Sequence, residues 1–348
     1  MSDPLLEQFQ HHLQELAFAF GAPQAKGRLR CSPTDFKVWE QLSFTPSGDG
    51  EHWFFQIEKT GLNTEEVVSH LANQLKVSKV DIGYAGLKDK HAVTTQWFSV
   101  KLAGRDVPAA AQIDTDQLQV QQMLRNQRKL KTGAIAQNRF EIRVNELQGD
   151  REWICERVNT IRERGVPNYF GEQRFGHNGQ NLFRAREMLQ GRKVKSRHLR
   201  GLYYSAIRSF LFNRVLSHRV EQRCWNQALP GDAMSLDGSR SSFIAEHIDT
   251  EIERRLTEFD IHPSGPLPGT CGKSGLASGQ AAELEQAILE PYQELCSQLQ
   301  ASGLSQQRRA LRLVVPDIEL SLQDDVLQLA FSLPSGAYAT TVLRELVS

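Results

Sequence analysis

Apolar positions recur at helical spacing at the start of the chain, at Leu5, Leu6, Phe9, Leu13, Leu16, Ala17 and Phe20, and predict an amphipathic helix or extended lead-in over residues 4 to 20. The spacing then changes to two. Arg28-Leu29-Arg30 and Phe36-Lys37-Val38-Trp39-Glu40 alternate around the Ser32-Pro33-Thr34-Asp35 turn, and His52 to Glu58 alternates again, so a sheet is expected to start here. Asn63 or Thr64 caps a helix through about Leu75, with Val67, Val68, Leu71 and Leu75 as its buried stripe. Trp97 to Leu102 and Asn138 to Val144 read as further strands, the second with Phe140, Ile142 and Val144 on one face. A short helix or strand is expected within 105 to 124, and a helix over 151 to 163.

The middle of the chain reads differently. From Arg184 to Arg219 the pattern predicts two amphipathic helices, with Tyr204, Ile207, Leu211 and Val215 as core. His262-Pro263-Ser264-Gly265-Pro266-Leu267-Pro268-Gly269 predicts a loop, and 279 to 300 a helix. Strands return at 310 to 315, 318 to 322 and 326 to 331, and 338 to 347 predicts a closing helix. Strands therefore bracket a helix-rich middle.

Charge adds a local asymmetry that the total hides. Lys+Arg and Asp+Glu each number 41, so the formal net charge is zero. A neutral chain is a poor indiscriminate nucleic-acid binder, yet a basic face suffices to grip a folded RNA. Two stretches supply cations: Arg125, Arg128, Lys129 and Lys131, and the run from Arg184 to Arg219, where Glu187 is the one acid among ten basic residues including Arg192, Lys193, Lys195 and Arg197. Acids gather separately, at Glu246, Asp249, Glu251, Glu253, Glu258 and Asp260. Segregation of this kind suits a polyanion held on one side.

Five widely spaced cysteines with no C-x-x-C pair argue for reduced thiols, and against a disulfide framework or a zinc site. No histidine shows ligand spacing, so no metal site is expected. Asp3 and Glu7 stand where a signal peptide would carry positive charge, and no apolar run approaches membrane-spanning length. A cytoplasmic protein with no membrane partner is expected. Gly272-Lys273-Ser274 invites comparison with a phosphate-binding loop, but that pattern needs glycine where Leu267 stands and a strand where three prolines fall, so an NTPase is rejected.

The chemistry concentrates between Gly83 and Trp97. There a Gly-x-x-Gly stretch precedes Lys88-Asp89-Lys90-His91, with a polar Thr94-Thr95-Gln96 tail. Asp89, flanked by two lysines, is expected to be held ionised and is a candidate nucleophile. Ala85-Gly86-Leu87-Lys88-Asp89-Lys90-His91-Ala92-Val93-Thr94-Thr95-Gln96-Trp97 resembles the catalytic-aspartate motif of the TruD family of tRNA pseudouridine synthases. Val166 to Gly176 and Leu333 to Leu346 resemble the same family in the same order, and the stretch from about Gln222 to Ser305 does so only loosely.

That resemblance implies an α+β protein: a pseudouridine-synthase catalytic domain with a mixed, largely antiparallel sheet over 1–164 and 306–348, interrupted by a helix-rich TRUD domain over 165–305. It implies isomerisation of uridine to pseudouridine in tRNA, at position 13, by a monomer that needs no cofactor, metal or nucleotide. Asp89 is the implied nucleophile and Arg30, in the first strand, its basic partner. Phe36, Asn138, Phe140 and Tyr338 fall at the implied substrate pocket. Phe140 or Tyr338 would stack on the flipped-out base and Asn138 would hydrogen-bond its edge. Gln173 and Arg174 border the implied RNA cleft, beside the basic residues named above. The rival reading is a non-catalytic tRNA-binding or RNA-folding protein.

Overall fold

The computed structural model describes Phe9 and residues 15–102, 104, 107–239, 241–270, 272 and 276–348. Most of the predicted lead-in over 4 to 20, together with Lys273 and Ser274, lies outside the described residues. The chain divides into two compact units, one of residues 24–162, 315–336 and 347–348, the other of 1–23, 163–314 and 337–346.

The first unit is built on nine strands: β1 (Lys26–Leu29), β2 (Phe36–Leu42), β3 (His52–Thr60), β4 (Ile82–Tyr84), β5 (Val93–Lys101), β6 (Leu118–Asn126), β7 (Ile135–Gln148) and, after the other unit's strands β8 to β13, β14 (Glu319–Gln323) and β15 (Val326–Pro334). Their order is β14-β15-β7-β2-β5-β3-β6, with β1 added on β7 and β4 on β5. Every pairing is antiparallel except β2 with β5. This is the mixed, largely antiparallel sheet of an α+β protein.

Register determines what shares a face. Phe36, Val38 and Glu40 stand opposite Ile142, Phe140 and Asn138, and Phe140 stands opposite Phe331. Val38 also pairs with Thr94, which pairs with Lys59, and Gln96 with Ile57. Directly paired side chains lie on one face. That face is therefore polar across its middle, where Glu40, Asn138, Lys59 and Gln96 collect, and apolar to either side, with Phe36 and Ile142 beyond them in one direction and Phe55, Phe98 and Val100 in the other. The Thr64–Leu75 helix covers the apolar part, with Val67, Val68, Leu71 and Leu75 against Phe55, Ile57, Phe98 and Val100. Its start is closed reciprocally: Glu66 N–H donates to Asn63 Oδ1 at 2.9 Å and Asn63 N–H to Glu66 Oε2 at 2.6 Å.

The second unit is helix-rich and carries a sheet as well. The helices Gln180–Leu189 and Arg197–Glu221 are present, and the stretch predicted as one helix over 279 to 300 is Gly279–Leu289 and Gln293–Ala301, divided at Pro291. Beside them stands a four-stranded antiparallel sheet in the order β10-β9-β11-β12, made of β9 (Asp232–Leu236), β10 (Ser242–Ala245), β11 (Ile261–Leu267) and β12 (Gln307–Ala310). β11 occupies the segment predicted as a proline loop. Its residues are almost all buried, and the Pro263 carbonyl accepts the Leu311 N–H at 2.8 Å, so burial on both sides overrides the missing proline donors. One ground for rejecting a phosphate loop, the absent strand, thus falls; the missing glycine at Leu267 stands.

The unit boundaries also differ from 1–164, 165–305 and 306–348. Residues 306–314 go with the second unit because β12 pairs with β11, and β13 (Arg312–Leu313) with β8 (Val166–Pro167). Residues 337–346 do so because Arg344 donates to the carbonyls of Leu16 and Ala17, and Tyr338 packs on Phe170. No helix of the described residues is long and apolar enough to cross a membrane.

Candidate active site

Asp89 lies on the loop that joins β4 to β5, over the polar patch of the sheet face. Its Oδ2 is 2.9 Å from Arg30 Nη1, and its Oδ1 accepts the His91 N–H at 3.2 Å. Both partners of the ion pair are about one-third exposed, 30% for Arg30 and 32% for Asp89, which leaves the carboxylate within reach of a ligand. Arg30 stands one residue beyond β1 rather than inside it, in a left-handed conformation with φ 58° that costs an L-residue roughly 1–2 kcal/mol. Its guanidinium rests on the Phe36 ring, 4.5 Å from the centroid, so one arginine bridges the aromatic strand and the carboxylate.

The two flanking lysines do not serve Asp89 as expected. Lys88 Nζ turns to Glu40 Oε1 at 3.0 Å and donates to Asn138 Oδ1 at 2.6 Å. Lys90 pairs with Glu66 at 3.1 Å on the surface, where such a pair contributes little. Their alternation along an irregular loop points the three neighbouring side chains in different directions, which adjacency in sequence conceals.

A buried scaffold holds this loop. Gln96, fully buried, donates to the Gly86 carbonyl at 2.7 Å and accepts from Thr64 Oγ1 at 3.1 Å, while Thr64 Oγ1 accepts the Lys88 N–H at 3.0 Å. The polar tail of the motif is therefore part of β5, and it faces back toward the loop. The glycines contribute unequally. A Cβ on Gly83 would fall 2.5 Å from the Leu130 carbonyl oxygen, whereas one on Gly86 would meet nothing within 4 Å. The close approach at Gly83 is to the protein itself.

Lys59 completes the scaffold, and no sequence signal marked it. It is wholly buried on β3, and its Nζ donates to the carbonyls of Leu62 at 2.6 Å and of Asp89 itself at 3.0 Å. Burial pushes its pKa down from the usual 10.5 to about 8, with the nearby Asp89 opposing that shift and Lys88 adding to it. Between pH 8 and 10.5 the unfolded chain then holds a proton that the folded one has released, so this group makes unfolding free energy rise with pH across that window. Comparing denaturant unfolding of the unmodified chain and Lys59→Met from pH 7.5 to 10.5 should show that rise in the former and its loss in the latter.

The aromatic candidates are mostly interior. Phe36 is 5% exposed and Phe140 7%; their rings meet edge to face at 6.1 Å, and Phe140 stacks on Phe331 at 5.6 Å. Asn138 is half-buried beside them. Tyr338 belongs to the second unit, where its ring packs on Phe170 at 6.0 Å and Arg174 lies over both rings. Gln173 is exposed next to it, and Gly171 lets them close up, since a Cβ there would fall 3.0 Å from Tyr338 Cδ1.

The basic stretches are partly consumed by structure. Arg125, Arg128 and Lys131 are exposed, Arg125 bonded to the Gly50 carbonyl and Lys129 to that of Val80. In the longer run, Arg184 and Arg192 both pair with Glu187, Arg208 caps the carbonyls of Leu267 and Ser305, and Arg219 is buried against Asp232. Of the acids that gather separately along the sequence, Glu251 and Glu258 pair locally with Arg254 and Asp260 with Arg255. Within the longer run, the exposed cations without a carboxylate partner among the described residues are Lys193, Lys195, Arg197 and Arg200, the last donating to the Val194 carbonyl at 3.0 Å.

Comparison with known proteins agrees over nearly the whole chain. The family model described as tRNA pseudouridine synthase D (TruD) matches residues 13–196 and 180–346, including the stretch whose resemblance is loose by eye. The chain is 48% identical over 338 residues to the tRNA pseudouridine synthase D of Nitrosococcus oceani, covering 96% of this chain and 94% of that one. It is 48% identical over 335 residues to that of Methylococcus capsulatus, with the same coverage. A crystal structure from Methanosarcina mazei assigned to TruD superposes with a TM-score of 0.72 at 22% identity, covering 99% of this chain and 98% of that one, and shares its fold. The chain therefore belongs to the tRNA pseudouridine synthase D (TruD) family and is an isomerase of uridine in tRNA.

Proposed function

We propose that the chain converts uridine 13 of tRNA to pseudouridine, with Asp89 as the nucleophile and Arg30 as its basic partner. The observation that carries this reading is the partly exposed Arg30–Asp89 ion pair at 2.9 Å on a loop anchored from beneath by Lys59, Thr64 and Gln96. An ionised carboxylate held in one place is what the first step requires. In the reaction the N1–C1′ bond of the target nucleotide breaks, the uracil turns while bound, and a C5–C1′ bond forms; the C5 proton is lost and N1 ends protonated. Electrons and atoms balance within the substrate, so the isomerisation consumes no oxidant, reductant or phosphoryl donor. Asp89 promotes the bond cleavage, whether by attack at C1′, by attack on the base or by assisting elimination.

The target base must leave its stack, at a cost of a few kcal/mol. Asn138 then offers a hydrogen bond to its edge, and Phe36 and Phe140, with little surface left exposed, serve mainly as the apolar floor. Gln173, Arg174 and Tyr338 present a polar and aromatic cluster to RNA, while Lys193, Lys195, Arg197, Arg125, Arg128, Lys129 and Lys131 are the proposed phosphate contacts. The chain acts as a monomer.

Pseudouridine-specific chemical mapping tests this reading. Bulk tRNA from cells lacking the protein, incubated with the purified chain and no additive, should gain pseudouridine at position 13. Modification at another tRNA position would correct the site assignment. Binding without any product would favour the non-catalytic reading.

A further inference from the structure

Glu40, Lys88 and Asn138 form a chain of polar groups that leads from the sheet interior to the candidate base pocket. The Glu40 side chain is fully buried and its Oε2 accepts the Trp97 N–H at 2.8 Å, which anchors it in β2 against β5. Lys88 Nζ, with its side chain 13% exposed, stands 3.0 Å from Glu40 Oε1 and 2.6 Å from Asn138 Oδ1. An ammonium has protons to give and no lone pair to accept with. The amide end facing Lys88 must therefore be the oxygen, and the NH2 end of Asn138 must face away from it. No described residue accepts from Asn138 Nδ2, so this donor is left for a ligand.

We propose that the Glu40–Lys88 pair sets the orientation of Asn138 so that the side chain presents a hydrogen-bond donor to a carbonyl oxygen of the target uracil, making Lys88 a positioning residue for base selection. This rests on the reading of Asn138 as a base contact. Without Lys88 the amide could rotate by half a turn about its last bond and present its oxygen, which matches an amino group rather than a carbonyl. A pyrimidine carrying an exocyclic amine would then be as well received at that contact as one carrying oxygen. With Lys88 in place, the amine would confront a donor and leave both groups unpaired.

The test compares single-turnover rates on tRNA whose target uridine is replaced by 4-thiouridine or by 2-thiouridine, since sulfur is the weaker acceptor. For the unmodified chain the rate on uridine should exceed that on one of the two thio substrates by about tenfold more than it does for Asn138→Ala, the loss of one hydrogen bond to a positioned donor. Glu40→Gln combined with Lys88→Met removes both buried charges together and avoids leaving a lone carboxylate inside. Its thio penalty should fall to within about twofold of the Asn138→Ala value, while Lys88→Arg, which still donates to Oδ1, should keep the larger one. A loss of fold would slow all three substrates alike and leave the ratios unchanged, so the ratio separates orientation from stability. Equal penalties in the unmodified chain and in Asn138→Ala at both positions would overturn the inference, as would a full penalty in the double variant. Failure of the unmodified chain to convert uridine would instead overturn the underlying reading and this inference with it.

Discussion

Asp89→Asn is expected to lower the single-turnover rate of pseudouridine formation by about 10⁴-fold or more, the scale seen when a group that acts directly on the reacting bond is removed. The substitution is nearly isosteric. Asparagine keeps the loop's reach and can accept the His91 N–H through its oxygen, but its amide is neither a nucleophile nor a counter-charge for Arg30, 2.9 Å away in the folded chain. Since both residues are about one-third exposed, water can solvate the orphaned guanidinium, and the variant should fold with a denaturation midpoint close to that of the unmodified chain. The affinity for tRNA, which rests on phosphate contacts elsewhere, should change little. Retention of full activity would exclude Asp89 as the nucleophile. Binding lost in step with activity would point to a folding defect.

The largest stability effect is expected far from this chemistry, in the second unit. Arg219 and Asp232 form a two-pronged ion pair there, Nη1 to Oδ1 at 3.0 Å and Nη2 to Oδ2 at 2.9 Å, with side-chain exposures of 2% and 0%. The guanidinium also donates to the carbonyls of Cys224 and Gln227, and Asp232 Oδ2 accepts the Leu229 N–H at 2.7 Å. Together they tie the end of the Arg197–Glu221 helix to the start of β9. Asp232→Ala would leave a buried cation with no counter-charge, and is expected to cost about 3–5 kcal/mol. For a unit of this size that is a fall in thermal midpoint on the order of 10 °C. Replacing the pair together, Arg219→Met with Asp232→Leu, should cost much less, because the desolvation of both charges disappears along with their attraction. Thermal melts of the three proteins decide it. Catalysis on pre-folded protein at low temperature should be nearly unaffected, which separates this arginine from those proposed to meet RNA.

Arg219 also illustrates where one-dimensional reading of charge loses its grip. Along the sequence it is one of ten cations facing a single acid, and a polyanion is the natural partner for such a run. In the fold Arg208 and Arg219 point inward, Arg184 and Arg192 share Glu187, and the acids at 251 to 260 answer arginines on their own helix and turn. Net charge in a window counts residues but not directions. A helix turns successive side chains by about 100°, so a one-signed stretch of this length necessarily sends some of its charges toward the interior.

Much was legible without coordinates. Alternating apolar residues set the strands of the sheet, the Asn63 cap and its stripe set the Thr64–Leu75 helix, and the run around Asp89 carried the family. Those features are local: a period of two, a period of 3.6, or a string of reactive residues in order. The β11 strand was missed because its prolines are local signals for a loop, whereas its pairing partners β9 and β12 lie tens of residues away on either side.

By itself, then, the sequence determined the family, the candidate residues and the periods of the elements that hold them. Only the tertiary structure decided whom they meet. Lys88 and Lys90 flank Asp89 in the chain, yet the carboxylate meets Arg30, 59 positions earlier, and Lys88 meets Glu40 and Asn138 instead. Lys59, unremarkable in a strand pattern, becomes the buried donor that holds the Asp89 carbonyl. The physical reason is register. Strand pairing brings residues from β2, β3, β5 and β7 together on one face, and a shift by a single residue would send every one of them to the opposite side.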